Sequence, residues 1–531
     1  MHVFCQRRQV LRKDRCLFME TKTRTEYSAR NTTVALLSRL TAIIMGYLLR
    51  VVFTHTLSES YVGVNGLFVD IIQVLSLSEM GVGTAITFAL YRPIAEGDTE
   101  KQKSLMKLFR QFYRVVAVIV AVGGALLIPF MDVFIKDYEN VEHLTLIYIL
   151  YLINTICSYL LIYKKTLMDA HQLLYIGTFY QTMSWVLQDV LQIFVLIVYH
   201  DFILFLLINI GTTILCNVCI SVRADKRYPY LRDKDVAPLS EQEKKGIFSN
   251  IRAMLMHKVG AVIVNNTDNL LLSAFVGLAS VGGYSNYYLL IGSVRQMLNQ
   301  VYQGITASVG NLGVTEDEGH VQQVFEVVFF IGQWMYGFAF ICLFELLNPF
   351  IVLSFGKQYV FPEATVFVLC VNFFLNGMRN ATLTFRDSMG LFWYDRHKAI
   401  VEAVLNLGLS LLLVNWLGMM GVFLGTLFSM ALTSLWVEPY VLYKHGFHKS
   451  CAGYFVRYIL YVIVIMVGWF VTDWLCREWT VIGVQGLWQI LLVRLALSTI
   501  VPNILFLIVY GRSREFRFLL GKAKTLTKRR R

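Results

Sequence analysis

Apolar runs long enough to cross a bilayer recur along the chain from residue 33 to residue 510, separated by short polar segments. A transmembrane helix needs about 20 predominantly apolar residues. The pattern predicts spans at 33–53, 62–91, 112–135, 143–163, 172–198, 202–222, 253–275, 280–311, 323–347, 362–384, 398–415, 421–443, 455–473 and 487–510. The expected fold class is an all-α polytopic membrane protein of about 14 transmembrane helices. The runs at 62–91 and 280–311 are long enough to protrude or tilt.

Charge orients these spans. With both termini inside, the outside loops hold only Lys136, Lys357 and Arg477 of the 48 Lys+Arg, and most of the rest falls in inside segments. Such a bias marks the cytoplasmic side. The chain then divides into a basic cytoplasmic arm (1–30), an N-lobe of six spans (31–222) and a cytoplasmic linker (223–252). A C-lobe of six spans (253–443), two additional spans (444–510) and a basic cytoplasmic tail (511–531) follow. A shift of 219 residues lays Val62-Gly63 on Val281-Gly282, Arg39 on Lys258 and Gly97-Asp98 on Glu316-Asp317. An even number of spans per half gives both halves the same orientation. The pseudo-symmetry axis then runs along the membrane normal, as in parallel-repeat transporters.

Composition agrees and excludes other classes. The 531 residues are 56% hydrophobic and 16% charged, and the mean hydropathy is +0.57. Soluble proteins are about 45–50% apolar and about 25% charged. A soluble enzyme, a disordered chain and a disulfide scaffold are thereby excluded. The net charge of +13 fits cytoplasmic loops, and no nucleic-acid partner is expected. Cys216 and Cys219 have C-x-x-C spacing inside an apolar helix and read as small core residues. Arg7-Arg8 lacks the apolar stretch that a twin-arginine signal needs, and Met19 is an alternative start. No Gly-rich phosphate loop or H-E-x-x-H occurs, and His445-x-x-His448 has no further ligands. The expectation is a protein that is not an enzyme and has no metal or cofactor, apart from a coupling ion.

The candidate chemistry lies in charges that hydrocarbon does not tolerate. Each costs about 2.5–3.5 kcal/mol at mid-membrane. Arg39, Arg50, Arg295 and Arg379 must therefore face a watery cavity, pair with acids, or snorkel. Arg39 and Arg50 share a helix face with Ile43 and Gly46 between them, about 16 Å apart along the axis. Two readings stand: a cationic cavity for a polyanion such as a diphosphate, or structural ion pairing. Arg114 and Lys258 lie near cytoplasmic ends and read as snorkelling. Asp268 falls in the polar run Asn265-Asn266-Thr267-Asp268-Asn269, which could hold Na⁺ or a proton or hydrogen-bond across helices. Asp70 is a second coupling candidate, with pairing to Arg50 as the alternative. Glu79 lies on the face opposite Asp70, and Glu326, Glu345, Glu402 and Glu438 lie near span ends and are expected at the interface. Gln181 and Gln188, with Gln192, form a polar stripe suited either to sugar hydroxyls or to interhelical bonding. Asn299 and Gln303 follow Arg295 at helical spacing and make the same face polar.

Several stretches carry a family resemblance: SARNTTVALLSRL at 28–40, ALYRPIAEGDTEK at 89–101, MHKVGAVIVNNTDNLLLSAFVGLASVGGYSNYYLL at 256–290, and GVFLGTLFSM at 421–430 followed by Glu438-Pro439-Tyr440. Over about residues 24–510 the chain resembles lipid-linked oligosaccharide flippases of the polysaccharide transport family. That family lies within the multidrug, oligosaccharidyl-lipid and polysaccharide exporter superfamily. The resemblance implies two six-helix lobes around a central cavity plus two C-terminal helices. It implies transfer of undecaprenyl-diphosphate-linked oligosaccharide across the bacterial inner membrane by alternating access. Arg39, Arg50, Arg295 and Arg379 are then the candidate diphosphate ligands, and Gln181, Gln188, Asn299 and Gln303 the glycan-facing residues. Asp268, Asn265 and Asp70 become candidates for Na⁺ or H⁺ coupling. Membrane lipids, a glycan polymerase and glycosyltransferases are the implied partners. A peptidoglycan-precursor flippase and a cation-coupled multidrug exporter of the same superfamily are the rival readings.

Overall fold

The computed structural model describes residues 24–76, 82–135, 141–171, 173–233, 236–248, 267–315, 318–391, 394–481 and 486–529. Among them the secondary structure is helical. The first half comprises α1 (Arg24–Thr56), α2 (Glu59–Leu75), α3 (Val82–Ala95), α4 (Thr99–Leu127), α5 (Leu144–Tyr159), α6 (Ile162–Ala170), α7 (Leu174–Val198) and α8 (Phe202–Arg227). The second half comprises α9 (Leu278–Thr315), α10 (Glu318–Ser354), α11 (Glu363–Ser388), α12 (Lys398–Leu417), α13 (Met419–Leu432) and α14 (Ser434–Val441). Three more helices follow: α15 (Ala452–Val481), α16 (Leu487–Tyr510) and α17 (Arg514–Arg529).

Ten of the described helices are long and apolar enough to cross a membrane, and the bent pair α5–α6 is long and apolar enough only when its two pieces are taken together, as a broken span or a re-entrant loop. Lipid-facing stripes are visible as exposed apolar side chains at helical spacing, such as Val115, Val118, Ile119, Val122 and Leu126 on α4. The expected span 62–91 is divided between α2 and α3. Most of the expected span 253–275, with Lys258 and Asn265, lies outside the described residues, as does Glu79. The run at 280–311 forms α9, 38 residues and about 57 Å long. It is too polar to count among the ten, because one of its faces lines a cavity rather than lipid.

Local chemistry sets the helix ends. Asp98 caps α4 by accepting from the Lys101 amide at 2.9 Å, and Asp201 caps α8 by accepting from the amides of Ile203 and Leu204. Gly418, at φ +56°, turns the chain between α12 and α13. The expected span 143–163 is broken at Leu161, whose φ of +69° bends α5 from α6 by 41°.

The cores place the two lobes relative to each other. Near the C-terminus of α1, Phe53, Val62 and Phe202 belong to one apolar cluster with Leu278 and Val281 of the second lobe. Toward the other end, Leu105, Phe109, Leu167 and Ala224 form a cluster drawn from the first half alone. The lobes are thus joined at one end, where α2 crosses α9. Outside the two lobes, α15 and α16 pack on α10, fixed by Arg494 on Glu345 at 3.4 Å and by Trp334 Nε1 donating to Asn503 at 2.8 Å.

Candidate functional site

Four helices of the second lobe enclose a polar cavity of about 320 Å³. Helix α9 contributes Tyr284, Tyr288, Ile291, Arg295 and Asn299, spaced three or four residues apart and therefore on one stripe. Helix α11 contributes Asn372, Asn376, Arg379 and Asn380; α12 contributes Lys398 and Glu402; α13 contributes Thr426 and Ser429. Asp268 closes the wall.

The charges in this wall differ in how they are compensated. Arg379 makes a two-pronged contact with Glu438, Nη2 to Oε1 at 2.7 Å and Nε to Oε2 at 3.0 Å, and reaches Glu402 at 3.5 Å. Lys398 Nζ is bonded to Glu438 and lies 3.8 Å from Glu402. Ser434 Oγ donates to Glu402 at 2.6 Å. Two cations and two carboxylates form a closed, neutral cluster, as a buried charge requires. Arg295 differs. Its Nη2 donates to the Tyr288 hydroxyl at 2.9 Å, the guanidinium lies 5.4 Å from that ring's centre, and no carboxylate pairs with it among the described residues. It is the cation in the cavity with charge left to offer an anion.

Beside Arg295 lies an amide cluster. Asn299 Oδ1 accepts from the Tyr336 hydroxyl at 2.7 Å and from Asn380 Nδ2 at 2.8 Å. Asp268 accepts from Thr426 Oγ1 at 3.4 Å, and Thr426 accepts from Asn406 at 2.9 Å. Asp268 has no cationic partner among the described residues. Its neighbour Asn269 donates to Asp70 across the lobe boundary at 2.7 Å.

The remaining candidates are dispersed. Arg50 donates to Asn286 Oδ1 at 2.6 Å and to the Gly282 carbonyl at 3.4 Å, joining α1 to α9. It therefore does not pair with Asp70, which is held by Asn269 instead. Arg39 is exposed on α1 and is absent from the cavity wall. Gln181 accepts from Lys165 at 3.1 Å, and Gln188 accepts from Thr212 at 3.0 Å and donates to Gln192, so this stripe bonds within the first lobe. Gln303 lies on α9 and Asn265 in the 256–290 stretch; the side chain of the first and all of the second fall outside the described residues.

The glutamates need one correction. Glu438 and Glu345 are fully buried and Glu402 nearly so, rather than interfacial, because each neutralises a buried or half-buried cation. Lys398 was not singled out in the sequence, although its four-residue spacing to Glu402 on a helix is the signal for such a pair.

Taken together, the helices define an all-α, multi-pass membrane fold with a polar cavity among α9, α11, α12 and α13 and with α15 and α16 packed on α10. Solved structures share this fold. A lipid II flippase, MurJ, in an inward closed conformation is 12% identical, with a TM-score of 0.66 over 91% of this chain and 98% of that one. A multidrug resistance MATE family transporter of the MOP superfamily, inward-facing, is 15% identical, with a TM-score of 0.58 over 74% of this chain and 94% of that one. A point mutant of the Vibrio cholerae MATE transporter VcmN is 14% identical, with a TM-score of 0.52 over 80% of this chain and 98% of that one. No family model and no curated protein sequence matches the chain.

Proposed function

We propose that the chain is a flippase that moves a diphosphate-linked lipid oligosaccharide across the cytoplasmic membrane by alternating access of its two lobes. The observation that carries this reading is Arg295, a cavity guanidinium without a carboxylate partner among the described residues, set beside the Asn299–Asn380–Tyr336 amide and hydroxyl cluster. A guanidinium matches phosphate oxygens in charge and geometry, and amides with aromatic rings match sugar hydroxyls and ring faces. The fold shared with MurJ over 91% of the chain supports the same class of cargo.

With the charge-derived orientation, both termini are cytoplasmic and the joined end of the lobes faces outward. Cargo then enters from the cytosolic leaflet while its lipid tail stays in the bilayer. Arg50, at the joined end, would meet the diphosphate as the lobes part. In this reading Asp268 and Asp70, the latter held by Asn269 next in sequence to Asp268, couple that parting to Na⁺ or H⁺. The cargo is read as an undecaprenyl-diphosphate oligosaccharide for a surface polysaccharide, with polymerase and glycosyltransferases as partners, on the family resemblance of the sequence.

A second reading, a peptidoglycan-precursor flippase, is favoured by the MurJ likeness and shares the diphosphate chemistry. Deleting or depleting the gene and identifying the stalled lipid-linked intermediate by mass separates the two. A surface-polysaccharide repeat unit trapped in the inner leaflet supports the first reading, and trapped lipid II supports the second. An unchanged pool of both overturns the flippase assignment.

A further inference from the structure

The joint between the lobes holds a cation of its own, apart from the cavity of Arg295. Arg50, on α1, spends Nε on Asn286 Oδ1 at 2.6 Å and Nη2 on the Gly282 carbonyl at 3.4 Å. Among the described residues its Nη1 makes no hydrogen bond, and no carboxylate pairs with it. The ionisable side chains close enough to feel its charge are Tyr359 and Tyr151, which are neutral phenols. Arg379 and Lys398 show how this chain otherwise treats a buried cation, with a carboxylate in contact. Arg50 is partly buried without that counter-charge.

Beside the guanidinium lies a cavity of about 220 Å³, lined by Gly46, Arg50, Asn65 and Ser285 among apolar side chains. Gly46 stands one turn before Arg50 on α1, and nothing lies within 4 Å of a Cβ there, so α1 leaves that space open. Asn65, on α2, accepts from the Tyr151 hydroxyl through Oδ1, and its Nδ2 is left without a partner among the described residues. Ser285 gives its hydroxyl proton to the Val281 carbonyl at 2.8 Å. Two more donors are left over around the same guanidinium. Asn286 is fully buried, and its Nδ2 has no partner among the described residues. Tyr359 is buried too, and the same is true of its hydroxyl. The surroundings of Arg50 thus hold a positive charge and spare N–H and O–H donors, with no charged acceptor among the described residues. That chemistry suits an anion.

We propose that the closed joint holds a small inorganic anion such as chloride in this cavity, bound by Arg50 Nη1 and Asn65 Nδ2. The anion neutralises Arg50 while the other edge of the guanidinium holds α9. It therefore fastens α1 and α2 to α9, and it leaves when the lobes part. The site is separate from the cavity of Arg295, and the proposal does not rest on the identity of the cargo.

The test uses the full chain in phosphatidylcholine nanodiscs without cargo, with chloride replacing gluconate at constant ionic strength. An anion that binds only the folded state raises the unfolding midpoint by mass action. The midpoint should rise saturably by about 2 °C or more, and radiolabelled chloride should bind at about one per chain. Arg50→Gln should abolish both responses, and Arg295→Ala should keep them. Asn65→Asp keeps the acceptor for Tyr151 and supplies a carboxylate in place of the anion. It should lose the chloride response and melt in gluconate as high as the parent does in chloride, which gives the answer even if Arg50→Gln does not fold. No shift and no binding in the parent would overturn the proposal. So would a response that survives in Asn65→Asp, or one lost in Arg295→Ala, which would place the anion in the cargo cavity.

Discussion

Gly63 and Gly282 lie against each other where α2 crosses α9, and they stand at matching positions of the two halves, 219 residues apart. A Cβ at Gly282 would come within 2.9 Å of the Glu59 carbonyl oxygen and 3.2 Å of the Gly63 amide nitrogen, and one at Gly63 would collide with the Leu278 carbonyl. The two glycines thus meet where α2 crosses α9, at the 219-residue shift that aligns the two halves in the sequence. The contact is backbone on backbone. Arg50 on Asn286 and Tyr47 on Ser354 bond the lobes around it.

Filling that contact should pry the joined end apart. Gly63→Val and Gly282→Val should each cost the closed state about 1–3 kcal/mol, the usual penalty of overpacking. Distances between spin labels on the ends of α2 and α9 should lengthen in each variant. Gly46→Ala is the control, because nothing lies within 4 Å of a Cβ there. Unchanged distances in both valine variants would remove this contact from the gating of the cavity.

Arg379 and Arg295 should separate into a structural and a cargo-binding role. Arg379→Ala leaves Glu438 and Glu402 with Lys398 alone and should lower stability by about 3–5 kcal/mol. Thermal unfolding in detergent reads that loss, and Arg379→Met combined with Glu402→Gln, which keeps the neutral Lys398–Glu438 pair, should recover much of it. Arg295→Ala should leave the melting temperature nearly unchanged while transport falls at least about tenfold, the effect of one lost charge-assisted contact worth about 1.4 kcal/mol or more. Arg114→Ala, an exposed change far from the cavity, should do little to either quantity.

Asp268→Asn keeps an acceptor for Thr426 and removes the negative charge. Transport in proteoliposomes with and without imposed Na⁺ and pH gradients should lose its gradient dependence in this variant. A gradient response equal to that of the parent would exclude Asp268 from coupling.

His171, in the turn between α6 and α7, stacks on Tyr228 with ring centres 4.6 Å apart. Burial, aided by the charge of Arg227, holds its pKa below the usual histidine value. A folded-state pKa depressed below the unfolded value of about 6.5 means that the unfolded chain takes up the proton more readily. Stability from this site is complete above about pH 6.5 and declines as pH falls through that value. The melting temperature of the parent should drop more between neutral and mildly acidic pH than that of His171→Gln. An equal drop would show that the imidazole is protonated as easily folded as unfolded.

Most of the spans were legible in the sequence because hydrocarbon imposes a long apolar run at every crossing. The polar face of α9 was also legible, since Arg295 and Asn299 interrupt an apolar run at helical spacing. The compensation of Arg379 was not, because its partners Glu402 and Glu438 come from other helices, 23 and 59 residues away. Pairing at that range depends on helix packing, which periodicity does not encode. For the same reason Gln188 could not be assigned in advance to the α7–α8 contact instead of a sugar. The bend at Leu161 had no warning, since neither proline nor glycine marks it.

The most direct test of the account is leaflet exchange of an undecaprenyl-diphosphate-linked oligosaccharide in proteoliposomes holding the parent chain or Arg295→Ala. The parent should move the labelled lipid to the opposite leaflet well above protein-free vesicles, and Arg295→Ala at equal incorporation should be slower by at least about tenfold. Equal rates for the two proteins would contradict the assignment of Arg295 to the diphosphate. No exchange above protein-free vesicles would contradict transport of this cargo altogether.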